Sequence, residues 1–281
     1  MSPFIRLKRL SKHYGDHVVL ENLSCEVTEG EFITLVGASG CGKSTFLKML
    51  LGTETASSGQ LLMGGVPIEQ EPSPERGIVF QRYSVFPHLN VRENVALGVE
   101  FEESAWLGRL FGQKRRNALG KADELLDAVG LSQARNKYPH ELSGGMQQRL
   151  AIAQALIKKP KILLLDEPFG ALDPGIRKDM HELVLGLWRK YGLTIFMVTH
   201  DIHEGFQLGT RLWVFDKVRN DPHAPERFGS TIKYDLSLES ADKKARIKAL
   251  DEVSTRISGN NEPFVAVSER VTANAPGMSD Q

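Results

Sequence analysis

Three clusters in this chain carry side chains whose types and spacing suit phosphate chemistry. The first runs Gly37, Ala38, Ser39, Gly40, Cys41, Gly42, Lys43, Ser44, Thr45. It is a glycine-rich loop ending in Lys-Ser, between a β-rich run and an apolar run at helical spacing, the setting such a loop requires. Glycines let backbone N–H groups turn inward around phosphate oxygens, and the helix start adds its positive dipole end. Lys43 supplies a point charge for β- and γ-phosphates, and the Ser44 hydroxyl is a hard oxygen ligand for Mg²⁺. The plainer alternative is a glycine turn followed by a surface lysine. Cys41 occupies a variable position of the loop and reads as a small residue without catalytic consequence.

The second cluster closes the apolar run Ile162 to Leu165 with Asp166, Glu167 and Pro168. Ligands of open parallel sheets bind at the carboxyl ends of strands. Asp166 there can hold Mg²⁺ through water. Glu167 can polarise a water in line with the γ-phosphate as a general base. An acidic turn after a strand is the other reading, and the phosphate loop weighs against it. The third cluster is a pair of polar strand ends. His200 follows the run Thr194 to Thr199 and can hydrogen-bond the γ-phosphate. Gln81 follows Ile78 to Phe80, and its amide can reach Mg²⁺ or the attacking water. Alone, a histidine is more often structural and a loop glutamine more often solvated.

Elements must position these groups. Strand-like runs are expected over Ile5 to Leu10, Val18 to Val27, Phe32 to Val36, Gln60 to Met63 and Ile78 to Phe80, with a turn at Tyr14 to Asp16. A helix is expected over Lys43 to Leu51, where Phe46, Leu47, Leu50 and Leu51 share one face. The middle third reads as helical, with Lys121 to Val129 stopping at Gly130 and Gly144 to Lys159 stopping before Pro160. Strand and helix then alternate: Ile162 to Leu165, Ile176 to Tyr191, Thr194 to Thr199, Asp201 to Leu208 and Arg211 to Asp216. Such alternation implies a parallel sheet covered on both faces, an α/β fold. Two stretches are less regular. One is Glu100 to Asn117, with Trp106, Leu107, Leu110 and Phe111 ahead of Lys114 to Arg116. The other is the polar tail beyond Ser258, expected to be mobile.

Bulk composition excludes several classes. The 281 residues are 41% apolar, enough for a sizeable core. Lysine plus arginine number 35 and aspartate plus glutamate 35, so no basic excess suggests nucleic acid. Two cysteines, Cys25 and Cys41, lack ligand spacing, which fits a reducing cytoplasm. No apolar run approaches the roughly 20 residues that span a bilayer, and Met1 to Gly15 lacks a signal-peptide core. A membrane role is therefore expected to come through partner chains.

One motif narrows the family. Leu142, Ser143, Gly144, Gly145, Met146, Gln147, Gln148 and Arg149 resemble the signature of ABC ATPases, with Met146 where many members have Gln. Ser143 can cap the following helix, and the two glycines let the backbone approach a phosphate. The resemblance implies more. Tyr14 is similar to the aromatic residue that stacks on adenine, although any strand-end tyrosine would look alike. Gln81 resembles the Q-loop glutamine, Ala171-Leu172-Asp173 the D-loop that crosses to a partner, and His200 the switch histidine. The likeness covers about residues 5 to 216. It implies a P-loop NTPase fold of ABC type: a mostly parallel core sheet, an antiparallel β subdomain and a helical subdomain over about 82–158. An ATPase domain over 1–235 would precede a short extension over 236–281.

The resemblance also implies ATP and Mg²⁺ as cofactors and a homodimer in which Ser143, Gly144 and Gly145 face the partner's nucleotide. Other implied partners are transmembrane permease subunits and, indirectly, an extracytoplasmic solute-binding protein. The expected place is the cytoplasmic face of the membrane, as a peripheral subunit. Glu167 to Asp173, Gly144 to Arg149 and Phe86 to Asn94 look most like importers of the nitrate/sulfonate/taurine class, including a branch associated with urea and guanidine enzymes. A small nitrogen- or sulfur-containing solute is expected on that basis. A soluble ABC ATPase acting on ribosomes or DNA is the rival. It is disfavoured by one cassette, roughly a hundred residues between Lys43 and Ser143, and no sustained heptads. An exporter ATPase is a third reading. The apolar cluster Tyr83, Val85, Phe86, Pro87 and Leu89 is expected either to meet a permease or to pack locally.

Overall fold

In a computed structural model, residues 3–81, 84–104, 110–219, 221–224 and 226–238 are described. Tyr83, Trp106, Leu107 and the tail beyond Ser258 lie outside them. Ten strands form one sheet among the described residues. In chain order they are β1 (Ile5–Tyr14), β2 (His17–Val27), β3 (Phe32–Gly37), β4 (Ser58–Met63), β5 (Val66–Pro67), β6 (Arg76–Val79), β7 (Ile162–Asp166), β8 (Thr194–Val198), β9 (Arg211–Lys217) and β10 (Ser230–Ser237). Their spatial order is β5-β4-β1-β2-β10-β9-β3-β8-β7-β6. The five strands from β9 to β6 run parallel. β1, β2, β4 and β5 pair antiparallel, and one parallel step, Ser230 against Leu20, joins β2 to β10.

The central strands are apolar without alternation because both faces are covered. On one face Ile162 and Leu164 of β7 and Phe196 and Val198 of β8 pack around α1 (Lys43–Leu51) with Phe46 at its centre. On the other, Leu163, Leu165, Ile195 and Met197 meet α2 (Val91–Glu103), α3 (Gly112–Ala128), α4 (Gly144–Leu156) and α5 (Pro174–Tyr191). Each fully buried Leu or Ile contributes about 1.5–3 kcal/mol by area. The short α6 (Ile202–Leu208) packs Phe206 on Val36, Leu212 and Val214.

Three features differ from expectation. α2 lies inside the expected helical subdomain, but its bounds were not read individually: its β-branched Val91, Val95 and Val99 and the internal Gly98 weaken the intrinsic preference. All three valines nevertheless bury on one face, and an Asn90–Glu93 capping box starts the helix. α3 begins at Gly112 rather than near Lys121, held early by Arg115, which pairs with Glu93 and Glu100 of α2. β10 occupies a stretch not read as a strand. It pairs with β9, and Asp235 makes a double hydrogen bond with Arg211 at 2.6 Å on each arm. β10 runs through Asp235 to Ser237.

Candidate active site

Parallel pairing aligns the carboxyl ends of β3, β7 and β8. Leu35 lies opposite Val198, and Asp166 opposite Val198 from the other side. Three loops therefore leave the sheet at one edge. The first follows β3. Gly37 has φ 151°, and a β-carbon there would sit 2.3 Å from the Phe215 carbonyl oxygen, so only glycine passes. Gly42 has φ 88° and packs so closely that a β-carbon would lie 2.6 Å from Leu20 Cδ2. The chain then enters α1 with the Lys43 and Ser44 amides in its first turn. Lys43 is buried, and its ammonium donates to the Gly37 and Ala38 carbonyls at 2.8 and 2.9 Å, with Cys41 Sγ at 3.4 Å. A buried ammonium demands such partners. Cys41 thus supports the lysine in the loop.

Ser44 Oγ donates to Asp166 Oδ1 at 3.1 Å and so joins α1 to the end of β7. Desolvation raises the Asp166 pKa above the ordinary carboxylate value and neighbouring Glu167 adds to it, while the Ser44 hydrogen bond and Lys43 oppose the shift. Such a carboxylate gains from a cation. Among the described residues no group of three or more His, Cys, Asp or Glu could hold a metal alone. Two hard oxygens, one hydroxyl and one carboxylate, suit Mg²⁺, which takes its remaining ligands from phosphates and water.

Glu167 has φ 48°, a left-handed conformation that costs a non-glycine residue roughly 1–3 kcal/mol. Its N–H still donates to the Val198 carbonyl at 3.0 Å, extending the β7–β8 ladder, and the left-handed φ then turns the chain off the strand. Gln81 Nε2 donates to Glu167 Oε2 at 3.0 Å, and His200 Nδ1 lies 3.8 Å from the same oxygen. Lys43, Ser44, Asp166, Glu167, Gln81 and His200 are thereby gathered at one sheet edge. Ala38, Ser39, Gly40 and Thr45 share the loop and first helical turn.

The other expected residues stand apart. Tyr14 ends β1, half-exposed, with Lys12 Nζ 4.6 Å from its ring centroid and Glu54 as hydrogen-bond partner. Ser143 caps α4 through the Met146 N–H at 3.4 Å. Gly144 is exposed, and a β-carbon on Gly145 would meet Ile176 Cγ2 at 2.6 Å. No described hydrogen bond or ion pair joins Ser143, Gly144 or Gly145 to the phosphate loop of the same chain.

Residues 20–170 match the family model described as "ABC transporter". The chain belongs to the ABC transporter family. The ABC chain is 40% identical over 219 residues to the spermidine/putrescine import ATP-binding protein PotA of Bacillus anthracis, a match covering 77% of this chain and 64% of that protein. It is 43% identical over 198 residues to the nitrate import ATP-binding protein NrtC of Synechococcus elongatus, covering 70% of this chain and 29% of that one. The chain thus spans under two thirds of these relatives' lengths. A solved dimeric ATP-binding cassette, in a post-hydrolysis state bound to ADP and Pi, has a TM-score of 0.66 at 28% identity, covering 84% of this chain and all of that one. The ten-stranded sheet with its helices is an ABC ATPase fold.

Several polar residues around this ABC site were not read from sequence. Asn94 is buried on α2. Its side chain accepts from the Phe86 N–H at 2.8 Å and donates to the Phe86 and Leu89 carbonyls at 3.0 and 2.8 Å, fixing the loop after Gln81. Thr199, Glu204 and His181 form a buried group beside His200. The Asp201–Glu204 spacing at a helix start was the available signal for the last group, but nothing in the sequence connects it to His181.

Proposed function

We propose that this chain is an ATP-hydrolysing subunit that energises solute import through membrane permease subunits, acting as a pair with a second copy. The observation that carries the reading is the joined pair of contacts, Ser44 to Asp166 at 3.1 Å and Gln81 to Glu167 at 3.0 Å, at the mouth of the phosphate loop. Phosphates would sit on the loop amides with Lys43 as the fixed charge. Ser44, Asp166 and Gln81 would hold Mg²⁺, which would supply neutralisation of phosphate charge. Glu167 takes a proton from water as its oxygen attacks the γ-phosphorus and the bond to the β-phosphate oxygen breaks, leaving ADP and phosphate. Gln81 holds the carboxylate in place, and His200 offers an imidazole to the γ-phosphate. Tyr14 is assigned to the adenine, and Ser143, Gly144 and Gly145 to the γ-phosphate of the partner's nucleotide.

No helix among the described residues is long and apolar enough to cross a membrane. Coupling to transport would therefore run through a surface, and the segment after Gln81 offers one. Phe86 is exposed while Val85 packs inward, and Phe80, just before Gln81, is exposed as well. Permease subunits would meet it at the cytoplasmic face of the membrane. Both named relatives are import proteins for nitrogen-containing solutes, which supports a nitrogen-containing cargo, delivered by a solute-binding protein and selected by partner chains; the sulfur-containing alternative rests on the motif resemblance alone. Glu167→Gln should lower steady-state phosphate release by about 10²–10⁴-fold while ATP still binds, the range a general base contributes. Turnover within a few-fold of wild type would overturn the assignment.

A further inference from the structure

His200 is largely exposed on its own account, with 68% of its side chain accessible, and its only described side-chain charge contact is Glu167 at 3.8 Å. What fixes it lies underneath. The preceding residue, Thr199, is buried. Its hydroxyl donates to Glu204 Oε2 at 2.5 Å and accepts the Asp201 N–H at 3.1 Å, so the hydroxyl ties the residue after His200 to the buried carboxylate. Asp201 in turn caps α6 through the His203 and Glu204 amides. The second oxygen of Glu204 lies 2.8 Å from His181 Nε2 on α5. Glu204 is 7% exposed and His181 6%, so neither bond is shared with bulk water. An ionised Glu204 only accepts, an arrangement in which His181 Nε2–H and the Thr199 hydroxyl are the donors.

The other face of His181 closes the circuit. Its ring meets Phe169 edge-on with centroids 4.9 Å apart, and Phe169 is two residues past Glu167. Glu167, Phe169, Thr199, His200 and Glu204 line one shallow cleft, together with Arg177 from the first turns of α5. α5 starts at Pro174, directly after Asp173. One buried carboxylate thus ties the helix that follows Asp173 to the strand end that presents His200. Buried polar networks of this kind are tolerated only when every member is satisfied, and when satisfied they hold a single geometry.

We propose that Glu204, held by His181, is the positioning residue for His200: it orients Thr199 and with it the backbone that aims the imidazole at the γ-phosphate. The inference rests on the proposed ATP hydrolysis and on the role given there to His200. It assigns no contact between Glu204 and nucleotide.

The test uses the full chain and a phosphate-release assay alongside fluorescent-ATP titration. Glu204→Ala should lower kcat about tenfold with KM for ATP within about twofold, since the lost geometry matters in the transition state rather than in binding. Glu204→Gln keeps an acceptor for Thr199 and should recover most of the rate. Thr199→Val, nearly isosteric, should reproduce the loss and serves if Glu204→Ala fails to fold. In a His200→Ala background, Glu204→Ala and Thr199→Val should change kcat by less than about twofold, because residues acting through one group do not add. Full additivity in that background, or loss of ATP affinity equal to loss of rate, would overturn the proposal as a mere folding effect. If His200→Ala is slow but neither Thr199→Val nor Glu204→Ala is, this inference alone fails. If His200→Ala turns over normally, the role given to His200 fails and the inference with it.

Discussion

At the scale of single residues, the site is a set of charges held in unfavourable places by specific partners. Lys43 is buried on loop carbonyls, Glu167 sits at positive φ, and Asp166 is desolvated beside another acid. The last has a thermodynamic consequence. Its folded pKa is raised, so between the unfolded and folded values the native state binds more protons than the unfolded chain. Stability from this group is therefore complete below the unfolded value, declines as pH rises through the folded one, and stays reduced at neutrality. Asp166→Asn keeps an acceptor for Ser44 and removes the penalty. The nucleotide-free chain should unfold up to about 4 °C higher by scanning fluorimetry, while Mg²⁺-dependent ATPase activity falls by at least about 100-fold. A variant with lowered melting temperature, or retained activity, would contradict this account. Both cysteines are free, and burial pushes Cys25 up to about 12, leaving it protonated at neutral pH.

At the scale of elements, the turn from β3 into α1 is decided by backbone room. Gly37 and Gly40 both have positive φ, yet they are unequal. A β-carbon at 37 runs into the Phe215 carbonyl at 2.3 Å, whereas one at 40 meets nothing within 4 Å. Gly37→Ala should therefore add overpacking of about 1–3 kcal/mol to the conformational strain both variants share. Urea unfolding should rank Gly37→Ala well below Gly40→Ala, with similar m-values. Equal midpoints would mean that β9 yields at Phe215. The same reasoning explains which elements sequence made plain. α1 was expected over Lys43 to Leu51 and spans those residues, because its glycine boundaries and apolar face agree. The bounds of α2, and β10 altogether, were not read because their support is tertiary. α2 depends on burying three valines on the helical layer, and β10 on pairing with β9 and on the Arg211–Asp235 contact.

At the scale of the whole molecule, the phosphate loop and the segment proposed to face a partner's nucleotide lie apart in one chain. The loop and its acids lie at the edge of the parallel sheet, and Ser143 lies at the exposed start of α4. A second copy placed head to tail would bring one against the other, the arrangement proposed for the functional pair. Ser143→Arg tests it. The lost cap should cost about 1 kcal/mol, leaving the fold intact. The Glu167→Gln chain with Ser143 unchanged should give ATP-dependent dimers on size-exclusion chromatography. The double variant that adds Ser143→Arg should give none. Unimpaired dimers in the double variant would rule out a signature that faces the partner's nucleotide.

The phosphate loop, the acid pair after β7 and the signature segment were legible in sequence because each is a run of consecutive residues, and the roles proposed for them rest on that spacing. Sequence alternation likewise determined the parallel core sheet and the helix that follows the loop. The tertiary structure decided what depends on distance along the chain. It set Gln81 on Glu167 across 86 residues and Ser44 on Asp166 across 122. It also put Glu204 between Thr199 and His181, a contact of three elements that no spacing announces. The physical reason is that a buried carboxylate is tolerable only where partners already wait for it. Those partners come from separate helices and strands that meet only when the sheet and its covering layers close.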